Sequence, residues 1–389
     1  MHPIIVIGSN HHNTFSMVKS FGCAGHVVDV ILFGCSSSYI EKSKYVRRIT
    51  YIPSPSDIID ALSQVESSEK PIIVSCSDVV SQITDAHYDE LKERFWFFHC
   101  GKQNALTPFM DKNYQTRQAG ECGMNVPFTA IYAKGVEVES YPCLLKPLES
   151  INGGKHIEIC HNESELTEKA AVFSPDTTVL VQSYIQKKSE IVVVGLSLGK
   201  EIIIPGYIYK IRESSGGTTY SRVMRLQRLD VRLVERCKRL VTKMNYTGLF
   251  GIEFIEDDKG DYYFIEINLR NDATTYSLVK AGVNLPVMYA EYCSGSETVQ
   301  QPSEIDELYS IVDFKDLENA IHQNVSIWQW LREYRNAQCK YYKDKNDPKP
   351  YRVCLKSFVK SHLLHKLRIK KWIFLSKRTI VLCWWHPSF

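Results

Sequence analysis

An α/β protein is what this sequence predicts: a small parallel-sheet domain in front, then an α+β part built on antiparallel strands. Three observations carry the prediction. In the first hundred residues, short apolar runs at 4–7, 26–33 and 71–75 alternate with helix-patterned stretches at 15–21 and 58–65, which implies βαβ units. Strand-like runs at 141–147, 156–159, 178–185, 191–196 and 201–211 then follow in succession. The stretch 250–272 reads FGIEFIEDDKGDYYFIEINLRND, and its middle, Glu256-Asp257-Asp258-Lys259-Gly260-Asp261, has the Asp/Gly chemistry of a tight antiparallel connection.

At 389 residues the chain is long enough for two or three domains with full cores, and its charge and apolar content are ordinary for a soluble globular protein. Its twelve cysteines are scattered singly with no C-x-x-C pair, so they read as small buried residues in a reducing compartment. Met1-His2-Pro3 leads straight into the first strand-like run, which is too short for a signal core, and no run reaches the roughly 18 apolar residues of a spanning helix. A cytoplasmic protein is expected. The net charge of +3 hides an asymmetry: the 42 residues after Asp347 hold ten Lys or Arg and no acid, so the first 347 carry −7.

Taken in order, the turn Gly8-Ser9-Asn10 lacks a full G-x-G-x-x-G, which weighs against a dinucleotide oxidoreductase and leaves Gly8 as a plain strand-to-helix turn. Asp78, beyond the end of a strand where ligands of parallel sheets collect, is a candidate substrate contact. Asp111-Lys112-Asn113 opens a helical stretch, and Asn125-Val126-Pro127 leads into a strand at 128–132. The run 141–147 ends in Lys146-Pro147 and is followed by Ser150-Ile151-Asn152-Gly153-Gly154-Lys155. Paired glycines let backbone amides approach an anion, and a lysine adds a mobile charge. The strand at 178–185 breaks at Gln186-Lys187-Lys188-Ser189. Within and beside the polar loop 212–222, Lys210, Arg212 and Arg222 are candidates to clamp a carboxylate or phosphate. The stretch 231–244 has the apolar spacing of an ordinary packing helix.

The hairpin carries the chemistry. An unpaired buried carboxylate costs several kcal/mol, yet Glu253 interrupts the first apolar run and Glu266 the second. Period-2 alternation puts Glu266 and Asn268 on one face, where the hairpin can bring Glu253 beside them. Three converging oxygen donors suit a hard divalent cation that also binds substrate phosphates. Arg270 continues the same face as a fixed cation.

Glu253 and, thirteen positions on, Glu266-x-Asn268-x-Arg270 resemble the metal-binding hairpin of ATP-grasp ligases, and the continuation through Arg270-Asn271-Asp272-Ala273-Thr274-Thr275-Tyr276 resembles the branch of D-aspartate ligases and carbamoyl-phosphate-synthetase-like enzymes. The resemblance implies a Rossmann-like domain over 1–105, a two-lobed ATP-grasp domain over 106–300 with its lid at about 140–205, and a helical basic tail over 301–389. It implies ATP and Mg²⁺ (or Mn²⁺) as cofactors, with Glu253, Glu266 and Asn268 as metal ligands and Arg270 and Lys146 as catalytic groups. Lys112, Lys146 and Lys155 fall where phosphates are held, Gln182 and Ile185 where adenine is flanked, and Glu190 where ribose is bound. Two features depart from the family pattern: Gln182 stands where an acid is common, and the turn after it lacks the usual glycine. The implied activity is carboxylate–amine ligation through an acyl phosphate; bicarbonate-using chemistry of the carbamoyl-phosphate type and a non-catalytic Mg-ATP-binding module are the alternatives. Small-molecule carboxylate and amine substrates are the expected partners, and no nucleic acid is expected.

In the basic tail, Leu355, Val359, Leu363 and Leu367 recur every four residues among Lys356, Lys360, Lys366 and Arg368, with tryptophans following. This profile fits a helix on an anionic membrane surface at the inner face, or one packed on the acidic body. A surface location would suit a ligase of cell-surface polymer biosynthesis whose acceptor is lipid-linked.

Overall fold

The run Ile4–Gly8 (β1) has no polar side chain and is buried along its whole length, as befits an inner strand of a parallel sheet covered on both faces. The computed structural model, which describes residues 2–132, 138, 140–147, 157–174, 176–214, 217–296 and 304–361, pairs it in parallel with β2 (Val28–Phe33) and β4 (Ile72–Ser75). An edge strand β3 (Val46–Ile52) completes the order β3-β2-β1-β4. Helix α1 (His12–Cys23) connects β1 to β2 and α2 (Ile58–Ser63) connects β3 to β4, with α3 (Asp78–Ala86) and the single turn α4 (Tyr88–Leu91) following β4, so the expected βαβ alternation is present. Strand β3 is missing from the sequence expectation because Arg47 and Arg48 break its apolar pattern; both guanidinium groups ion-pair with Asp29 of β2, at 2.8 and 3.0 Å. A Cβ at Gly8 would collide with Thr14 Oγ1 and approach Cys76 Cβ at 3.0 Å, so the close turn from β1 into α1 itself requires glycine.

After α5 (Lys112–Glu121), capped by Asp111, comes a small antiparallel sheet of order β5-β8-β6-β7, made of β5 (Thr129–Ile131), β6 (Cys143–Pro147), β7 (Glu158–Cys160) and β8 (Val179–Ser183). Its core of Cys143, Leu145, Cys160, Val179 and Val181 is closed by Leu166 of α6 (Glu163–Ala170). The Gly-Gly-Lys loop with Lys155 lies outside the described residues.

The large sheet has the order β13-β12-β9-β10-β11-β14-β15 and contains β9 (Ser189–Leu198), β10 (Ile202–Ser214), β11 (Gly217–Arg225), β12 (Thr247–Glu256), β13 (Tyr262–Asn268), β14 (Leu308–Ile311) and β15 (Cys339–Lys340). Helix α7 (Val231–Lys243) buries Leu233, Val234, Cys237, Leu240 and Val241, the face its spacing predicts, while α8 (Thr275–Lys280) and α9 (Leu285–Cys293) follow the hairpin.

Two expectations need correction. The polar stretch 212–222 is not a loop: Arg212 pairs with Tyr220 and Glu213 with Thr218, so β10 and β11 form a hairpin through it. Arg212 is not a substrate clamp, since its buried guanidinium is held by Asp316 and Glu333 at 2.7 and 2.9 Å; Arg222 in turn pairs with Glu307. The region after 301 is not simply a helical tail, because β14 and β15 extend the large sheet and α10 (Asp313–His322) and α11 (Ile327–Asn336) pack on it. These strands are four and two residues long, too short for a visible period, and they form because β11 offers an open edge. A helix at 348–361 stacks Tyr351 and Phe358 on Phe314. Residues 362–389, with most of the basic tail, lie outside the described residues. No helix among the described residues is long and apolar enough to cross a membrane.

Candidate functional site

In the β12–β13 ladder Glu253 lies opposite Glu266 and Gly251 opposite Asn268, with an irregularity after Glu253. Cross-strand pairing therefore brings the three oxygen-bearing side chains to one face, as the alternation predicts. Asn268 donates from Nδ2 to Glu253 Oε1 at 3.3 Å and accepts on Oδ1 from Arg270 Nη2 at 2.8 Å. Lys112 at the start of α5 reaches Glu266 at 3.2 Å, and Lys210 of β10 reaches Glu253 at 2.6 Å. All four hairpin residues line a cleft of about 530 Å³, together with Glu190, Lys210 and Asp272.

The cleft's electrostatics ask for a cation. Burial, with the carboxylates of Glu266 and Asp272 nearby, raises Glu253 to about 8 even though the Lys210 ammonium opposes the shift. Burial alone would also raise Glu190, but Lys210 and Lys187 outweigh it and hold that carboxyl below its ordinary value. Lys210 itself is held protonated, its burial outweighed by Glu253, Glu190 and Glu213. Among the described residues no three His, Cys, Asp or Glu side chains gather as a self-sufficient metal site. Two carboxylates and an amide at the mouth of an open cleft do fit Mg²⁺ or Mn²⁺, ions that keep waters and share phosphate ligands. Charge repulsion at Glu253 is the feature such an ion would relieve.

The small sheet faces this site with Lys146. It donates to Gln182 Oε1 at 3.0 Å, and Gln182 in turn donates to Thr129 Oγ1 at 2.8 Å, so three strands of the small sheet position one ammonium. Burial and the neighbouring Lys112 lower Lys146 to about 8, against a raising influence from Glu266. Gln182 thus orients a lysine. Ile185 is half-buried in the connection between β8 and β9. Glu190 sits on β9 opposite Lys210, ion-paired with Lys210 and, at 2.5 Å, with Lys187.

Arg270 is the joint with the first domain. Its Nε donates to Asp78 Oδ1 at 2.9 Å, so Asp78 enters the site by holding Arg270. Just beyond it, Asn271 receives the Asn13 side chain on its backbone carbonyl at 3.0 Å and donates its own backbone N–H to Ser75 O at 3.0 Å. Sequence reasoning assigned no role to Asp272, His11 or His12, and left Lys210 as one of three basic candidates. A charge following the apolar run Tyr207-Ile208-Tyr209 was the available signal for Lys210, the same signal that marks Glu253.

Residues 211–317 match the family described as ATP-grasp in the biosynthetic pathway with Ter operon. Among solved structures, the fold is similar to N5-carboxyaminoimidazole synthetase from Staphylococcus aureus complexed with ADP, at 15% identity over 83% of this chain and 86% of that one, with a TM-score of 0.64. It is similar to L-amino acid ligase from Bacillus licheniformis, at 14% identity over 80% of each chain and a TM-score of 0.60. Biotin carboxylase from Campylobacter jejuni, solved as a beta-gamma-ATP complex, matches at 18% identity over 80% of this chain and 75% of that one, with a TM-score of 0.58. The chain thus shares the fold of these enzymes, and its residues 211–317, which include the hairpin, match an ATP-grasp family model.

Proposed function

We propose that this chain is an ATP-dependent carboxylate–amine ligase that forms an amide through an acyl phosphate and releases ADP and phosphate. The observation that supports it most is the complete set of Glu253, Glu266, Asn268 and Arg270 in one cleft between the lid lysine and the first domain. In this reading Glu253, Glu266 and Asn268 hold the divalent ion, which when bound neutralises charge on the nucleotide phosphates. Lys146 and Lys112 hold phosphate oxygens and Lys155 adds a third contact. Gln182 and Ile185 flank adenine, and Glu190 accepts from ribose hydroxyls on the lone pairs its lysines leave open.

The chemistry follows from the poor leaving ability of a carboxylate oxygen. A substrate carboxylate oxygen attacks the γ-phosphorus; the bond to the β-bridging oxygen breaks and ADP departs. The amine nitrogen then attacks the acyl carbon, phosphate leaves with the C–O electron pair, and the amine loses a proton. Arg270, fixed by Asp78, stabilises negative charge on the transferring phosphoryl group. Positioning does the rest.

Phosphate release from Mg-ATP across a matrix of amino acids and acidic sugars, with wild type beside Glu266→Ala, tests the proposal. Release is expected with one acid–amine pair and falls by about a hundredfold or more in the variant. ADP release that needs bicarbonate and no amino acid would replace ligation with carboxyl-phosphate chemistry; Mg-ATP binding without release under any pairing would leave a binding module.

A further inference from the structure

The cleft does not end at the hairpin. It runs on to Ser9, His11, His12 and Asn13 at the start of α1, a twelve-residue helix with no acid in its first turn. The cap is His11, whose Nδ1 accepts from Asn13 N–H at 3.2 Å, so a neutral His11 carries its proton on Nε2. That nitrogen lies 3.0 Å from Lys315 Nζ of α10. Two donors therefore face each other with no acceptor between them.

Lys315 makes no ion pair among the described residues, although Glu318, one turn along α10, favours its charged form. Asp78 is taken up by Arg270, and Asp272 accepts from both the N–H and the O–H of Thr274. His12, 3% exposed and lining the same cleft, has an Nδ1 without a partner among the described residues. Burial lowers both Lys315 and, with help from Lys315 and Arg270, His11, which falls to about 4. Lys315 lines a second cavity of about 470 Å³ while His11 lines the cleft, so the His11–Lys315 contact links the two.

Resting on the ligase reading, we propose that this junction is an oxyanion pocket in which the first turn of α1 and Lys315 hold a second anionic group, carboxylate or phosphate, of the acid whose reacting carboxylate meets the nucleotide. A helix N-terminus and a lysine that makes no ion pair among the described residues supply the donors, and the oxyanion supplies the acceptor. The substrate is thereby an acid with two anionic groups, and a residue beyond the nucleotide-holding lobes selects it.

The test is titration calorimetry on the full chain loaded with Mg²⁺ and a non-hydrolysable ATP analogue, using inorganic phosphate, succinate and acetate as titrants. Phosphate or succinate is expected to bind and acetate not to, and the tighter of the two names the source of the anion. Lys315→Ala weakens that anion by about tenfold or more with nucleotide affinity unchanged, and Lys315→Arg retains it. A loaded chain that ignores both anions, or a Lys315→Ala protein that binds them as wild type does, overturns the pocket alone. A chain that fails to load with nucleotide overturns the ligase reading instead.

Discussion

Lys146 is a lysine at the end of an apolar strand, and both its orientation and its acidity come from what surrounds it. With a value of about 8 in the folded protein against 10.5 for an ordinary lysine, it loses its charge as pH rises through 8 unless an anion binds beside it. Phosphate oxygens would restore that proton, so binding takes one up above pH 8. In EDTA, to keep metal-linked protons out of the measurement, ADP affinity should be flat below pH 8 and fall above it by at most about tenfold per pH unit. Lys146→Arg, charged throughout, should abolish the slope; a slope that persists would place the titrating group elsewhere. The legible site residues share one property with Lys146: each is a polar group inside or at the end of an apolar run, so Glu253, Glu266, Asn268 and Lys146 stand out against their neighbours. Asp272 and Lys315 do not, because Asn271-Asp272 and Asp313-Phe314-Lys315 look like any polar loop or helix start until the fold sets them beside the cleft.

At the scale of elements, period-2 and 3.6-residue patterns located most strands and the helices α1, α2, α5 and α7, and failed where burial depends on a distant partner. Strand β3 is hidden by arginines that Asp29 neutralises. The β10–β11 hairpin is hidden by Arg212, whose charge looks solvated in sequence but is matched in space by Asp316, which also receives Trp330 Nε1–H at 3.0 Å. Arg212→Ala leaves the Asp316 carboxylate buried without its cation, a loss expected to cost about 3–5 kcal/mol by chemical unfolding. Asp316→Asn in the same background should recover part of it. An unchanged unfolding midpoint in Arg212→Ala would show that the pair carries no stability.

For the whole molecule, the join between domains is a continuous apolar core, in which Phe98 meets Tyr289 edge-on at 5.0 Å, reinforced by polar contacts: Arg270 to Asp78, Asn271 to Asn13 and Ser75, and Ser81 Oγ to Leu269 O at 3.0 Å. The helix at 348–361 rests on Phe314 by one face and leaves Leu355 and Val359 exposed at 38% and 45%. Those apolar side chains, with the basic residues that follow, should float the full-length protein with anionic vesicles at low salt, while a chain ending at Ser361 floats less; equal recovery of both would assign the tail no membrane role. The sequence by itself determined the α/β class, the hairpin and the grouping of Glu253, Glu266 and Asn268, because strand alternation and a short turn are local and fix which side chains share a face. The tertiary structure decided that Asp78 serves Arg270, that short strands beyond residue 301 complete the large sheet and that Lys315 meets His11. Those outcomes depend on which sheet edge lies open and which charge lies opposite, and residues hundreds of positions apart carry no mutual period.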